Sequence, residues 1–242
     1  ARGLDPAPWL TLAGTFAARR AREDEGPTLT LIMSGSTVPA GCDFLDDGDF
    51  FGPAEAAVFV REHRPTPSLL AACGDAAAIE VARGDFDQLG AMLQLSDQSR
   101  FDPTTWIAKQ PVSETKLVWR GVEEVCSTWL AANNPARLQR RIWRGQVTIL
   151  FPWLAEALGS FLDIHAKRLP RNLRDPWSDD PIRPEEFEWS NILFVLNRIQ
   201  AREADCAFRL RRMRNALAHQ QALTWDEARN AEADLKTLLA WR

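Results

Sequence analysis

The chain has 242 residues with 29 basic and 33 acidic side chains, a formal charge of −4, and 45% apolar and 26% charged composition. This is the balance of a soluble globular protein and excludes a disordered or low-complexity chain. No run of about 20 apolar residues occurs, so no transmembrane helix is expected. Residues 1–111 carry −7 and 112–242 carry +3, too little positive charge for a dedicated nucleic-acid binder, so any RNA contact is expected to be local.

In chain order, Thr28–Met33 is the best strand pattern and Ser34-Gly35-Ser36 ends it. Helical patterns follow at about 54–63, 68–82 and 86–95, the last with Asp85 as N-cap. Residues 1–110 are therefore expected to form a small α/β or mostly helical regulatory or interaction module. Residues 111–242 read as a bundle, with helices at about 112–132 (Val118, Val122, Val125, Trp129), 135–168, 185–219 and 225–241. Asn134-Pro135 supplies an N-cap and a first-turn proline for the second of these, and Pro152 is expected to kink or split it. The proline- and aspartate-rich stretch 169–184 reads as an extended loop. The fold class expected is thus mainly α.

Chemistry concentrates in Arg211-Arg212-Met213-Arg214-Asn215-Ala216-Leu217-Ala218-His219. Trp189, Ile192, Leu196, Ile199, Cys206, Leu210, Met213 and Leu217 follow 3-4 spacing and predict one long amphipathic helix leading into it. Arg211, Asn215 and His219 recur every four residues, which sets three phosphate-engaging groups on one stripe. Arg214 lies about 140° round an ideal helix from His219 and joins the stripe only through its long side chain or if the last turn unwinds. Thr224-Trp225-Asp226-Glu227 is a capping-box pattern that opens the next helix, which puts His219 at a helix end before a short turn.

Arg214-Asn215-Ala216-Leu217-Ala218-His219 resembles the Arg-x4-6-His motif of the HEPN superfamily, with Arg212 as an alternative arginine. The resemblance covers about residues 112–242. It implies a four-to-five-helix HEPN-like bundle and a metal-independent endoribonuclease, with His219 as general acid or base, Arg214 stabilising the phosphate and Asn215 orienting either. Arg211, Arg212 and Arg144 are the expected RNA-binding residues. Because one histidine cannot be acid and base at once, the resemblance also implies a homodimer with two motifs facing each other. It further implies a toxin or antiviral-defence effector held by a regulatory protein partner or a preceding segment. The start at Ala1-Arg2-Gly3, without Met, fits a processed or partial chain. The alternative reading is a non-catalytic helical interaction or scaffold module of a bacterial defence or signalling complex.

Other candidates are weaker. No cofactor is expected, and Cys42, Cys73, Cys126 and Cys206 lack zinc-ligand spacing, so no metal and a reducing cytoplasm are expected. Asp43–Asp49 lacks two ligands of a calcium loop and reads as an acidic turn. A thiol pair of Cys42 or Cys73 with His63 has no recognisable setting, and buried structural cysteines are expected. His165 reads as structural at a helix end, and Trp143, Trp153, Trp177 and Trp189 as core or interface anchors. Arg137, Arg140, Arg141 and Arg144 form an RNA-backbone or acidic-partner surface, or else a solvated helix face.

Overall fold

A computed structural model describes residues 52–64, 68–170, 173–174 and 180–241. The strand at Thr28–Met33, the turn at Ser34–Ser36, Cys42, the acidic turn and Trp177 lie outside them. Among the described residues the chain is mainly α.

Three helices open the described part: α1 (Pro53–His63), α2 (Leu69–Ala82) and α3 (Phe86–Leu93), close to the expected spans. Asp85 caps α3 as its sequence predicts, accepting from the Gln88 N–H at 2.9 Å. Two short helices follow, α4 (Asp97–Phe101) and α5 (Thr104–Ile107).

The first helix expected in the C-terminal half is instead a hairpin, β1 (Lys116–Trp119) against β2 (Val122–Val125), followed by the short α6 (Ser127–Asn133). Trp119 pairs with Val122 across Arg120-Gly121, whose φ values of 54° and 72° are those of a type I′ turn. The valines that mimic a 3-4 repeat are strand residues on either side of this turn.

The long helix α7 (Pro135–His165) begins as expected, with the Arg137 N–H donating to Asn134 Oδ1 at 3.1 Å. Pro152 does not split it. Leu150, Leu154, Ala157 and Phe161 bury one face on both sides of the proline, and Pro152 itself is exposed, so the carbonyl it leaves unbonded can reach solvent.

The single helix expected over 185–219 is two: α8 (Trp189–Arg198) and α9 (Ala204–Ala218). Gln200, at φ 52°, closes α8 in a Schellman turn, with Ala201 N–H on the Leu196 carbonyl and Gln200 N–H on that of Asn197. The last helix is also divided, into α10 (Trp225–Ala228) and α11 (Ala231–Leu239). Arg209 clamps α11 to α9 through both oxygens of Asp234, at 2.8 and 2.6 Å.

Helices α2 and α7 cross antiparallel as the spine of the fold. A Cβ on Gly145 would lie 2.4 Å from Ala77 Cα, so only glycine admits this approach. On one side of the crossing, Ala77, Val81, Leu89 and Met92 pack with Leu130, Leu138 and Ile142. On the other, Leu70, Cys73 and Phe101 pack with Leu150, Phe161, Ile192, Leu210 and Leu217. Both clusters thus combine residues from either side of position 110, the boundary expected from the sequence.

Where the hairpin meets the spine, Glu124 is surrounded by Arg83, Arg137 and Arg141. Burial pushes its carboxyl up, but Arg83, Arg141 and Arg137 outweigh that and hold it below the usual range. Burial, followed by the charge of Arg83, brings the Arg141 guanidinium down to about 10. Arg141 also donates to the Val125 and Val81 carbonyls.

Pro135–Arg168 is, by length and composition, long and apolar enough to cross a membrane, a test that the core helix of a soluble protein also passes. Only 22% of its most apolar window is buried, and Phe151 and Ile164 face outward.

Candidate functional site

Helix α9 delivers the motif to the end of the bundle. Its last turn is closed by Gln220 at φ 59°, with the Gln221 N–H on the Ala216 carbonyl and the Gln220 N–H on that of Leu217. His219 is the C-cap, at φ −92° and ψ 18°, and is exposed. Its ring makes no hydrogen bond among the described residues, which leaves both nitrogens available to solvent or substrate.

Arg211, Arg214 and Asn215 line one groove of about 320 Å³ with Phe151, Leu154, Ala155 and Leu158 of α7 and Glu188, Trp189 and Ser190 at the start of α8. Spacings of three and four residues along α9 put these three polar groups side by side without any unwinding. The stripe expected from the sequence is therefore redrawn. Arg214 joins Arg211 and Asn215 in the groove, while His219 sits just beyond it at the helix end. Arg214 Nη2 is 3.8 Å from Glu188 Oε1, with both side chains partly exposed. An incoming phosphate would compete with that carboxylate for the guanidinium.

The remaining expected RNA contacts divide. Arg212 points away from the groove, 3.0 Å from Glu227 Oε1 on α10. Arg144 is exposed, and lies seven, eleven and fourteen residues before Phe151, Ala155 and Leu158, which extends their helical stripe. Next to it, Trp143 Nε1 donates to the Leu217 carbonyl at 2.7 Å, so this turn of α7 is level with the end of α9. Of the other arginines in that run, Arg141 is buried in the Glu124 cluster and Arg137 is paired with Glu124, so neither belongs to a free RNA-facing row. Arg140 is exposed.

Nearer the start of α7, Gln146 is fully buried. Its Nε2 donates to the carbonyls of Phe101 (3.2 Å) and Leu223 (3.0 Å), and its Oε1 accepts from the Leu223 N–H (2.7 Å). It therefore pins the turn between His219 and α10 to the middle of α7. The Thr224 capping box forms as its sequence predicts, with Thr224 N–H on Glu227 Oε2 at 2.9 Å. Gln146 could have been found in the sequence as an amide at a core position, between Ile142 and Leu150. Glu188 carries no comparable signal.

The other candidates take structural places. His165 packs against Phe161 and Trp241, with Nε2 3.3 Å from the Leu239 carbonyl, and burial holds its imidazole below the ordinary value. Cys73 is buried, and burial pushes its thiol well up. His63 is exposed on α1, with Nδ1 2.7 Å from the Phe59 carbonyl. Trp189 is core, and Trp153 packs against the same cluster. Among the described residues, no group of three His, Cys, Asp or Glu side chains is placed to hold a metal ion.

Comparison of the chain with protein-family models, with curated proteins and with solved structures returns no match.

Proposed function

We propose that this protein is a metal-independent endoribonuclease of the HEPN type, acting as a toxin or antiviral-defence effector in the cytoplasm. The observation that carries the reading is the set of Arg211, Arg214 and Asn215 on one groove, with the unpaired imidazole of His219 exposed at the end of the same helix. In this mechanism a ribose 2′-oxygen attacks the adjacent phosphorus and loses its proton to a neutral imidazole. The bond from phosphorus to the 5′-oxygen breaks, and that oxygen takes a proton from an imidazolium. The products are a 2′,3′-cyclic phosphate and a 5′-hydroxyl. An imidazole has an unperturbed value of about 6.5, so both protonation states exist near neutrality. Two are needed at once, so a homodimer supplies His219 twice. Arg214 stabilises the charge on the phosphorane, Asn215 orients it, and Arg211 and Arg144 hold the flanking strand.

Purified protein incubated with total RNA and tRNA in EDTA is expected to cleave. His219→Ala should lower the rate at least about 100-fold, the usual weight of general acid–base catalysis. Cleavage undiminished in His219→Ala would refute the mechanism.

A second reading, a non-catalytic interaction or scaffold module, is favoured by the outward-facing Phe151, Phe194 and Phe208, of which Phe194 is 53% exposed. It predicts that Arg214→Ala with His219→Ala leaves function intact, whereas Phe194→Asp abolishes it.

A further inference from the structure

A separate cavity of about 440 Å³ opens between α4–α5 and the start of α10. Two indoles, Trp106 and Trp225, line it together with Gln98, Asp102, Asp226 and Lys109. Trp225 is braced edge-on by Phe101, with ring centroids 5.8 Å apart at 81°. The two walls are tied to each other by Gln146, which bonds Phe101 and Leu223, the neighbours of Asp102 and Thr224. The cavity is therefore built on the turn that begins at His219.

We propose that this cavity is a nucleobase-binding site that takes guanine, with the attached phosphate at Lys109. Two indoles at the lining are suited to stacking on any base. The polar groups select among bases. Asp102 Oδ1 is already held by the Thr104 N–H (3.2 Å) and hydroxyl (2.5 Å). Asp226 is exposed and, among the described residues, pairs with Arg229 alone, through Oδ1 at 3.2 Å, which leaves Oδ2 and the second lone pair of Oδ1 for a ligand. Guanine presents N1–H and its exocyclic amine side by side, the donor pair that a carboxylate accepts. Uracil presents one N–H between two carbonyls and would be repelled. Lys109 makes no ion pair among the described residues and stands exposed at the lining, where a phosphate would meet it. A basic peptide would suit the indoles and carboxylates but would be opposed by Lys109.

The same chemistry comes from a free guanine nucleotide or from a guanosine within an RNA strand passing His219. The site itself goes beyond the ribonuclease reading, and binding is measured without cleavage.

The test is equilibrium binding of GMP, UMP, guanosine, a short guanosine-containing oligonucleotide of non-cleavable 2′-O-methyl RNA, and an arginine-rich peptide to the full chain. The variants are Trp106→Ala, Asp226→Asn and Lys109→Ala. GMP should bind at least about tenfold more tightly than UMP, and Trp106→Ala should weaken it by a similar factor. Asp226→Asn should erase the preference for guanine, and Lys109→Ala should weaken GMP but not guanosine. The latter two alter exposed side chains and remain readable if Trp106→Ala fails to fold. An oligonucleotide that binds more than about tenfold more tightly than GMP identifies the strand as the source, whereas equal affinity identifies the free nucleotide. Equal affinity for GMP and UMP, indifference to Asp226→Asn, or tighter binding of the peptide than of any nucleotide would overturn the assignment.

Discussion

Replacing Gln146 with leucine should loosen the turn that carries His219, and the size of the effect follows from three bonds. Leucine has a similar volume but leaves the buried Leu223 N–H without its 2.7 Å acceptor and takes a donor from the carbonyls of Leu223 and Phe101. An orphaned buried N–H costs about 1–3 kcal/mol and each lost bond to a carbonyl about 0.5–1.5. The added apolar group returns about 1 kcal/mol. The net loss is about 3 kcal/mol, a large part of the about 5–15 kcal/mol that holds a domain folded, and corresponds to about 6–12 °C in Tm. Urea denaturation measures it directly. Gln146→Glu separates bonding from volume. Its carboxylate keeps the Leu223 N–H but faces two carbonyls with no proton to offer, so burial should raise its folded-state pKa above the unfolded value of about 4.3. Its deficit should therefore be smallest at low pH and grow as pH rises through that folded-state value. A loss under 1 kcal/mol in Gln146→Leu, or a pH-independent deficit in Gln146→Glu, would refute the role assigned to this amide.

At the helix crossing, Gly145→Ala forces a Cβ to within 2.4 Å of Ala77 and should destabilise by about 1–3 kcal/mol in a urea titration. Gly159→Ala on the same helix meets nothing within 4 Å and should stabilise by about 0.5–1 kcal/mol. Because burial holds His165 below its unfolded value of about 6.5, the unfolded chain takes up a proton first as pH falls below 6.5. Stability should thus decline faster with acidification in the wild type than in His165→Gln, as measured by urea midpoints at pH 7.5 and 5.5. Glu188→Gln removes the carboxylate that competes for Arg214 and should raise RNA affinity by up to about fivefold in filter binding, the range of an exposed ion pair.

The legible parts of the fold were those written in local chemistry. Asp85, Asn134-Pro135 and the Thr224–Glu227 box each cap a helix where the sequence places it, because a cap needs only a few adjacent residues. Periodicity was less reliable. The apolar face from Trp189 to Leu217 reads the same whether the chain runs straight or folds back at Gln200, since either way all of it but the exposed Ile199 meets the same core. In the hairpin, the spacing of Val118, Val122 and Val125 mimics a helical repeat and masks Arg120-Gly121, a two-residue turn signal. The motif itself was visible, but its surroundings were not. Glu188 beside Arg214, and Arg141 buried on Glu124, depend on contacts between elements distant in sequence, which no local pattern encodes.

The central claim is that His219 performs acid–base chemistry on RNA, and the ends of the fragments test it most directly. Wild-type protein and His219→Ala, each incubated with tRNA in EDTA, should differ completely in end mapping. The wild type should leave fragments ending in 2′,3′-cyclic phosphate with 5′-hydroxyl partners, and the variant should leave the RNA intact. Identical cyclic-phosphate ends from both proteins, or fragments ending in 3′-hydroxyl, would contradict the account.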